Sequence, residues 1–225
     1  MFGHGRLVFV NRQHFILRVG AALFVGLSGG LGTGAVLAQA APTILVLGDS
    51  LSAEYGLKRG EGWVALLEKR LAQEKIAARV VNASVSGETT SGGRSRLPAL
   101  LKQHQPTHVV IELGGNDALR GLPLANTEDN LRFMTEAAQK AGAKVLLVGM
   151  QVPPNYGGDY TKRFGDLFAK VAQARKAAVV PFFLKGVADG PNATAMFQPD
   201  RIHPRAEAHP AMLDNVWPEL RKLLR

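Results

Sequence analysis

Short apolar runs alternate with longer amphipathic segments from residue 42 onward, and this alternation restricts the fold more than any other feature of the sequence. Apolar runs bounded by turn residues are typical of buried strands, whereas apolar residues three and four apart are typical of helices. Because strands that alternate with helices are joined by right-handed crossovers, the pattern predicts an α/β fold with a parallel sheet and helices on both faces. The five predicted strands are 43–48, 78–83, 107–114, 143–150 and 177–183.

The helices are expected between these strands. No internal repeat, heptad run or low-complexity linker divides the chain after residue 40, so residues 41–225 are expected to form one domain. The predicted helices cover 61–75, part of 94–103, 127–141, a face around 164–171, and a last segment from about Pro204.

Residues 1–40 have the pattern of an export signal. Three arginines precede an apolar region, 19–38, and Ala38-Gln39-Ala40 fits an A-x-A cleavage pattern. The apolar region is also about long enough to be a membrane anchor, but six glycines within it lower its hydrophobicity and favour cleavage. We therefore expect a periplasmic or secreted protein, without a stable membrane anchor once the signal is removed.

Composition excludes several other classes of protein. Hydrophobic residues make up 46% of the chain and charged residues 20%, which is typical of a globular domain rather than a disordered one. The net charge is +9, but the basic residues are interleaved with acidic ones and form no long basic block. No nucleic acid is therefore expected as a partner. The chain has no cysteine, which excludes a disulfide framework and a lipidated N-terminal cysteine.

Four polar loops follow predicted strands, and the carboxyl ends of parallel strands are where open sheets bind ligands. "GDSLSAEYG" places Ser50 after the first strand, and "SVSGETT" places Gly87 after the second. "GGND" places Asn116 after the third strand, and "PDRIHP" follows the fifth with Asp200 and His203. These loops are expected to meet at one edge of the sheet.

Together these residues have the chemistry of acyl transfer. A serine hydroxyl needs an adjacent base, which His203 supplies if a carboxylate such as Asp200 orients its ring. The backbone N–H groups of Ser50 and Gly87 and the amide of Asn116 are candidate donors to the oxyanion of a tetrahedral intermediate. The proline after His203, Pro204, is expected to open the last helix and to hold the imidazole at its start.

Each motif alone also has a purely structural interpretation. "GDS" is a common turn that Asp49 can cap, "SGET" can start a helix, "GGND" can be a turn, and "DxxH" is short enough to occur by chance. The occurrence of all four in order favours acyl transfer, with Asp49 stabilising the turn and Ser52 lacking partners of this kind. No loop has the clustered ligands of a metal site, and no cofactor is expected. Structural roles are expected for the other histidines of this region: His104, His108 and His209.

The four blocks resemble those of the SGNH (GDSL) hydrolases. "ELGGNDALRG", "QVPPNYGGDYTKRF" and "DRIHP…NVWPEL" are further similar to the bacterial periplasmic thioesterase, lysophospholipase and arylesterase branch, from about Pro42 to the C-terminus. The resemblance implies a three-layer α/β/α flavodoxin-like sandwich with a five-stranded parallel sheet. It also implies Ser50 as nucleophile, His203 as base and Asp200 as its acid. The implied oxyanion hole consists of Ser50, Gly87 and Asn116.

The resulting hypothesis is a serine esterase, expected to be a monomer, that acts on small-molecule or lipid acyl esters and thioesters. The apolar residues Leu119, Leu122, Pro153 and Tyr156 are candidates to bind the acyl chain, although core packing explains any one of them equally well. A carbohydrate acetyl-esterase with the same triad and a non-catalytic binding module are the alternatives. One departure from the family pattern is Arg201, where a smaller residue is expected; it leaves the triad intact and favours altered access or an anionic substrate group.

Overall fold

The computed structural model describes residues 41–225, in which a five-stranded parallel sheet carries helices on both faces. The spatial order β2-β1-β3-β4-β5 is that of a flavodoxin-like doubly wound sheet, so the predicted fold class is confirmed. The predicted signal segment, 1–40, lies outside the described residues. The strands are β1 (Thr43–Gly48), β2 (Arg79–Asn82), β3 (His108–Glu112), β4 (Lys144–Val148) and β5 (Ala178–Val180).

The order of the strands fixes the two helical layers. The chain moves one way along the sheet from β1 to β2 and the opposite way from β2 through β5, so right-handed crossovers place the intervening helices on opposite faces. The first helix packs against the last, and the fourth packs against the second and the fifth. The helices are α1 (Trp63–Gln73), α2 (Thr90–His104), α3 (Gly115–Leu119), α4 (Leu124–Lys140), α5 (Gly158–Arg175) and α6 (His209–Leu223).

The central strands form the core because they are covered on both sides. β1 and β3 are buried along their whole length, whereas the edge strands β2 and β5 are partly exposed. Each fully buried large apolar side chain contributes roughly 1.5–3 kcal/mol to stability by leaving water. The largest of them include Trp63, Phe164, Phe168 and Phe183.

The strand order reverses between β1 and β3, and this is the point at which doubly wound sheets bind ligands. The last residues of these two strands, Gly48 and Glu112, are paired in the sheet. The loop that contains Ser50 and the loop that contains Asn116 therefore leave the sheet side by side, as the sequence predicts.

Two helices differ from the sequence prediction near the site. α2 begins at Thr90 rather than near residue 94, because Thr89 caps it by accepting a hydrogen bond from Gly92 N over 3.3 Å. The "GGND" segment is not only a loop, since Gly115 begins the short helix α3. Both differences place the polar residues of the loops at the first turn of a helix, which fixes their backbone.

The prediction that Pro204 opens the last helix is wrong. α6 begins at His209, and Pro204 instead pairs with Phe197 in an isolated antiparallel bridge. A proline fits at this position of the hairpin because the two hydrogen bonds that flank the bridge use the backbone groups of other residues, so the N–H that proline lacks is not needed. These two bonds, each 2.8 Å long, join Arg205 N to Met196 O and Gln198 N to His203 O.

Candidate active site

Ser50, His203 and Asp200 form one continuous chain of hydrogen bonds at the carboxyl edge of the sheet. The Oγ of Ser50 lies 2.9 Å from Nε2 of His203, and Nδ1 of the same ring lies 2.7 Å from Oδ2 of Asp200. The other carboxylate oxygen of Asp200 accepts hydrogen bonds from the backbone N–H of His203, at 3.0 Å, and of Ile202, at 2.9 Å. The structure thus brings together the three residues that the sequence predicts as catalytic.

The Asp200 carboxylate is held in its ionised form. The hydrogen bond from the His203 backbone, supported by that from Ile202, lowers the pKa of Asp200 to about 2. An ionised carboxylate can only accept, so the neutral ring of His203 carries its proton on Nδ1. Nε2 is therefore free to accept the hydrogen of Ser50, which is the state that a general base requires.

Two residues that the sequence analysis missed hold the histidine turn against the serine turn. The side chain of Gln198 donates to Tyr55 O at 3.0 Å and to Pro204 O at 3.1 Å. The ring of Tyr55 lies on that of His203, with 4.3 Å between their centroids. Gly56 makes room for this link, because a Cβ there would lie 2.1 Å from Gln198 Oε1.

The predicted oxyanion donors Ser50 N and Gly87 N lie in turns after β1 and β2. Among residues 41–225, no acceptor within hydrogen-bond distance takes the N–H of either residue. Gly87 has a φ of 79°, in the left-handed region that favours glycine, and Arg120 Nη2 donates to its carbonyl at 2.8 Å. The two N–H groups are thus available to a ligand, while the Gly87 carbonyl is held elsewhere.

Asn116, the third predicted donor, already uses both hydrogens of its amide. Nδ2 donates to Asp49 Oδ2 and to Glu88 O, each at 3.0 Å. An oxyanion at this position must therefore share or displace the bond to the Glu88 carbonyl. The backbone of α3 is fixed by the buried carboxylate of Asp117, which accepts hydrogen bonds from Thr90 N, Thr90 Oγ1 and Thr127 Oγ1.

The four candidate acyl-binding residues lie in the loops after β3 and β4. Leu119 is 46% exposed at the end of α3, and Leu122 is partly buried. Pro153 is exposed, and Tyr156, also exposed, stacks on Tyr160 with 6.3 Å between the ring centroids. The structure places them on the same edge of the sheet as Ser50.

A layer of buried polar groups lies beneath the serine turn, and the sequence did not predict it. Ser52 donates to Oε2 of Glu112 at 2.7 Å and accepts a hydrogen bond from Trp63 Nε1 at 3.0 Å. The backbone N–H of Trp63 is in turn bound by Nδ1 of His209, at 3.0 Å, so that histidine has a structural role. The available sequence signal was a charged residue, Glu112, at the end of an otherwise apolar strand.

The part of the chain that the structure describes contains no group of three or more His, Asp or Glu side chains able to hold a metal ion. The fold and the site together define a hydrolase built on a flavodoxin-like sheet, with a serine at the point where the strand order reverses. The model of the GDSL-like lipase/acylhydrolase family matches residues 46–211. The chain therefore belongs to this family, and the resemblance stated from its motifs is confirmed.

Relatives and solved structures agree with this membership. The chain is 54% identical over 185 residues to esterase TesA of Pseudomonas aeruginosa, which covers 82% of this chain and 90% of that protein. It is 43% identical over 187 residues to thioesterase 1/protease 1/lysophospholipase L1 of Escherichia coli K12, covering 83% and 87%. The psychrotrophic esterase EstA from Pseudoalteromonas sp., inhibited by monoethylphosphonate, superimposes with a TM-score of 0.76 at 41% identity, covering 81% and 98%. The prediction of an ester-hydrolysing enzyme is thereby confirmed.

Proposed function

We propose that this chain is an exported serine esterase that hydrolyses acyl esters and thioesters through a covalent acyl-enzyme. The hydrogen-bonded chain from Ser50 through His203 to Asp200, with distances of 2.9 and 2.7 Å, is the observation that carries the proposal. The names of the relatives, which include an esterase and a thioesterase/lysophospholipase, support the choice of acyl substrates.

Acylation begins when Ser50 Oγ attacks the carbonyl carbon and His203 Nε2 takes the hydroxyl proton. The tetrahedral oxyanion accepts hydrogen bonds from the N–H groups of Ser50 and Gly87. When this intermediate collapses, the bond to the leaving group breaks and the alcohol or thiol receives the proton from Nε2. Water then attacks the acyl carbonyl carbon while His203 Nε2 takes its proton. When this second intermediate collapses, the bond from the acyl carbon to Ser50 Oγ breaks, Nε2 returns the proton to Oγ, and the carboxylic acid leaves.

Two side chains assist these steps without exchanging protons. The ionised carboxylate of Asp200 stabilises the positive charge that His203 acquires when it accepts the serine proton. Asn116 supplies the third donor to the oxyanion once the substrate oxygen shares its amide with the Glu88 carbonyl. The bond from the same amide to Asp49 is kept and orients it.

The apolar surface around the site favours an acyl chain over a polar sugar. Six large apolar side chains are exposed among residues 41–225, and five of them lie in the segments that follow the five strands, one in each. The sixth, Phe133, packs under the guanidinium of Arg94 at 4.2 Å. Exposed apolar side chains at the sheet edge that carries the nucleophile favour a lipid or acyl-chain substrate. The five residues are Tyr55, Val85, Leu119, Tyr156 and Ile202.

Export is proposed from the sequence of residues 1–40, whose arginines, apolar region and A-x-A pattern form a signal peptide. On this proposal the mature enzyme consists of residues 41–225 in the periplasm or the medium. Within the described residues, no helix has the length and apolar character needed to cross a membrane.

Hydrolysis by Ser50→Ala tests the proposal. The variant should lose at least about 10³-fold in kcat with p-nitrophenyl butyrate, because no other group in the mechanism attacks the carbonyl. An unchanged circular dichroism spectrum controls for folding, and full activity of the folded variant would contradict the proposal. A series of nitrophenyl and coenzyme A esters, compared with acetylated sugars, then separates the acyl esterase from the carbohydrate acetyl-esterase. No turnover of any of them by the wild type would favour a binding module.

A further inference from the structure

The buried carboxyl of Glu112 takes no part in the proposed mechanism, and yet it lies directly beneath the nucleophile turn. It is the last residue of β3 and is 2% exposed, and no lysine or arginine of the described residues 41–225 pairs with it. A buried carboxylate without a cation is strongly unfavourable, so such a group normally keeps its proton or stays paired.

The direction of the hydrogen bonds around Glu112 is fixed by the chemistry of its neighbours. The indole N–H of Trp63 can only donate, so Ser52 Oγ must accept from it at 3.0 Å. Ser52 is left with its single hydrogen, which it donates to Glu112 Oε2 at 2.7 Å. One end of the Glu112 carboxyl is therefore held as an acceptor.

The other close partner of Glu112 is a second carboxyl, that of Asp49. The backbone N–H of Asp49 lies 3.4 Å from Glu112 Oε2, and a hydrogen bond between the two side chains is among the causes that raise the pKa of Glu112. Two carboxylates cannot make such a bond unless one of them carries a proton. Burial, with the neighbouring charge of Asp49, raises the pKa of Glu112 well above its usual range, whereas burial raises that of Asp49 to about 6. Both oxygens of Asp49 accept hydrogen bonds from N–H groups, of Leu51 and Asn116, whereas the bonds that Glu112 accepts are both at Oε2. The shared proton is therefore assigned to Glu112.

Asp49 is the residue through which this proton can affect catalysis. Its Oδ1 accepts a hydrogen bond from Leu51 N and its Oδ2 accepts one from Asn116 Nδ2, each at 3.0 Å. It thereby links the turn around Ser50 to the third oxyanion donor. The side chain of Glu112 packs closely against the backbone at Gly48, since a Cβ on Gly48 would lie only 2.9 Å from Glu112 Oε2.

We propose that Glu112 is a positioning residue that stays protonated and donates its hydrogen to Asp49, which keeps the Asp49 carboxylate where it holds Leu51 and Asn116. The inference rests on the proposed function, since these positions matter only if Ser50 and Asn116 perform acyl transfer. Besides the two carboxyls themselves, the titratable groups that face Asp49 are His203, from the hairpin turn, and Asp117, from α3.

Two substitutions at Glu112 separate a positioning role from a role in packing. Glu112→Gln keeps the pattern, because its amide oxygen accepts from Ser52 and its NH₂ donates to Asp49. We expect this variant to keep kcat within about 3-fold, whereas Glu112→Ala should lower kcat by about 10- to 100-fold through misplaced groups, with KM changed less than kcat. Glu112→Leu fills the volume without hydrogen bonds and replaces Glu112→Ala if that variant does not fold.

The pH profile supplies a measurement that a structural role would not change. A hydrogen bond to the ionised form of Asp49 lowers its pKa, so without the donor in Glu112→Ala a larger fraction of Asp49 is protonated at a given acidic pH. A protonated Asp49 holds Leu51 and Asn116 less well, so the acid limb of kcat/KM should move to higher pH. Glu112→Gln should keep the wild-type limb. Thr135→Val, which removes a buried hydrogen bond to Leu131 O on α4, is the control for a general loss of stability.

Either of two results would overturn the proposal. One is a Glu112→Gln enzyme as impaired as Glu112→Ala, and the other is a Glu112→Ala profile that superimposes on the wild type after scaling. Labelling of the wild type by a fluorophosphonate distinguishes failure of this proposal from failure of the proposed function. If Ser50 is labelled and either of these results is obtained, the role of Glu112 is contradicted. If Ser50 is not labelled, the proposed function itself is contradicted.

Discussion

The burial of Asp49 predicts that its ionisation opposes folding. Its carboxyl is 3% exposed, and burial raises its pKa from 3.8 to about 6. A group whose pKa is raised in the folded state contributes stability that is fully present below the pKa of the unfolded chain and is lost as the pH rises through the folded value. A shift of this size corresponds to about 3 kcal/mol in total, of which about 2 kcal/mol is lost between pH 4.5 and pH 7.5.

Urea unfolding of paired variants measures this loss. The comparison is made in the Glu112→Gln background, so that only one carboxyl of the pair titrates. The free energy of unfolding of Glu112→Gln should fall relative to that of Glu112→Gln/Asp49→Asn by about 2 kcal/mol from pH 4.5 to pH 7.5. Trp63, whose indole N–H is bound to Ser52, provides the fluorescence signal.

A substitution at an exposed aspartate controls for any general effect of replacing a carboxyl by an amide. Asp129 lies on α4 and its side chain is 61% exposed, so Asp129→Asn should not reproduce the pH-dependent difference. The reasoning would be refuted if the free energies of unfolding of Glu112→Gln and Glu112→Gln/Asp49→Asn differed by an amount that stays constant within about 0.5 kcal/mol over this pH range. Asp49 would then have the same pKa in the folded and unfolded chains.

Three further substitutions test other parts of the structure. Gly48→Ala should destabilise the protein by about 1–3 kcal/mol in urea unfolding, because the new Cβ would lie 2.9 Å from Glu112 Oε2; a stable variant would show that the layer can shift. Asn116→Ala should lower kcat by about 10²–10³-fold, and a loss below tenfold in ester hydrolysis would assign its amide to structure alone. Arg201→Gly should stabilise the chain by roughly 0.5–1 kcal/mol, because Arg201 has a φ of 58°, which glycine adopts without strain. Lys176→Gly, with a φ of 51° after α5, is the matched variant, and lower melting temperatures for both variants would contradict the argument.

The assembly of the site could be predicted because it depends on topology. Once the strands were recognised as parallel, the loops with Ser50, Gly87 and Asn116 had to leave the sheet at one edge. The turn with Asp200 and His203 reaches the same edge, and the structure brings it within hydrogen-bond distance of Ser50. Local patterns were sufficient because each functional residue follows a strand that its own neighbours specify.

The parts that sequence did not predict depend on contacts between distant segments. Pro204 has the local pattern of a helix start, but its pairing with Phe197 decides its conformation. Glu112 belongs to an apolar strand, and its role depends on Asp49, 63 residues away in the chain. The second hydrogen bond of Asn116, to Glu88 O, likewise joins two loops whose separation no local pattern determines.

The covalent step on Ser50 is the central claim, and mass spectrometry of the enzyme treated with a fluorophosphonate tests it most directly. The account predicts one adduct per chain, mapped to the peptide that contains Ser50, with loss of esterase activity in proportion to labelling. The Ser50→Ala variant should remain unlabelled, and His203→Ala should label far more slowly because the base is missing. Hydrolysis by the wild type that persists with Ser50 fully labelled, or an adduct on another residue that accounts for the inhibition, would contradict the account.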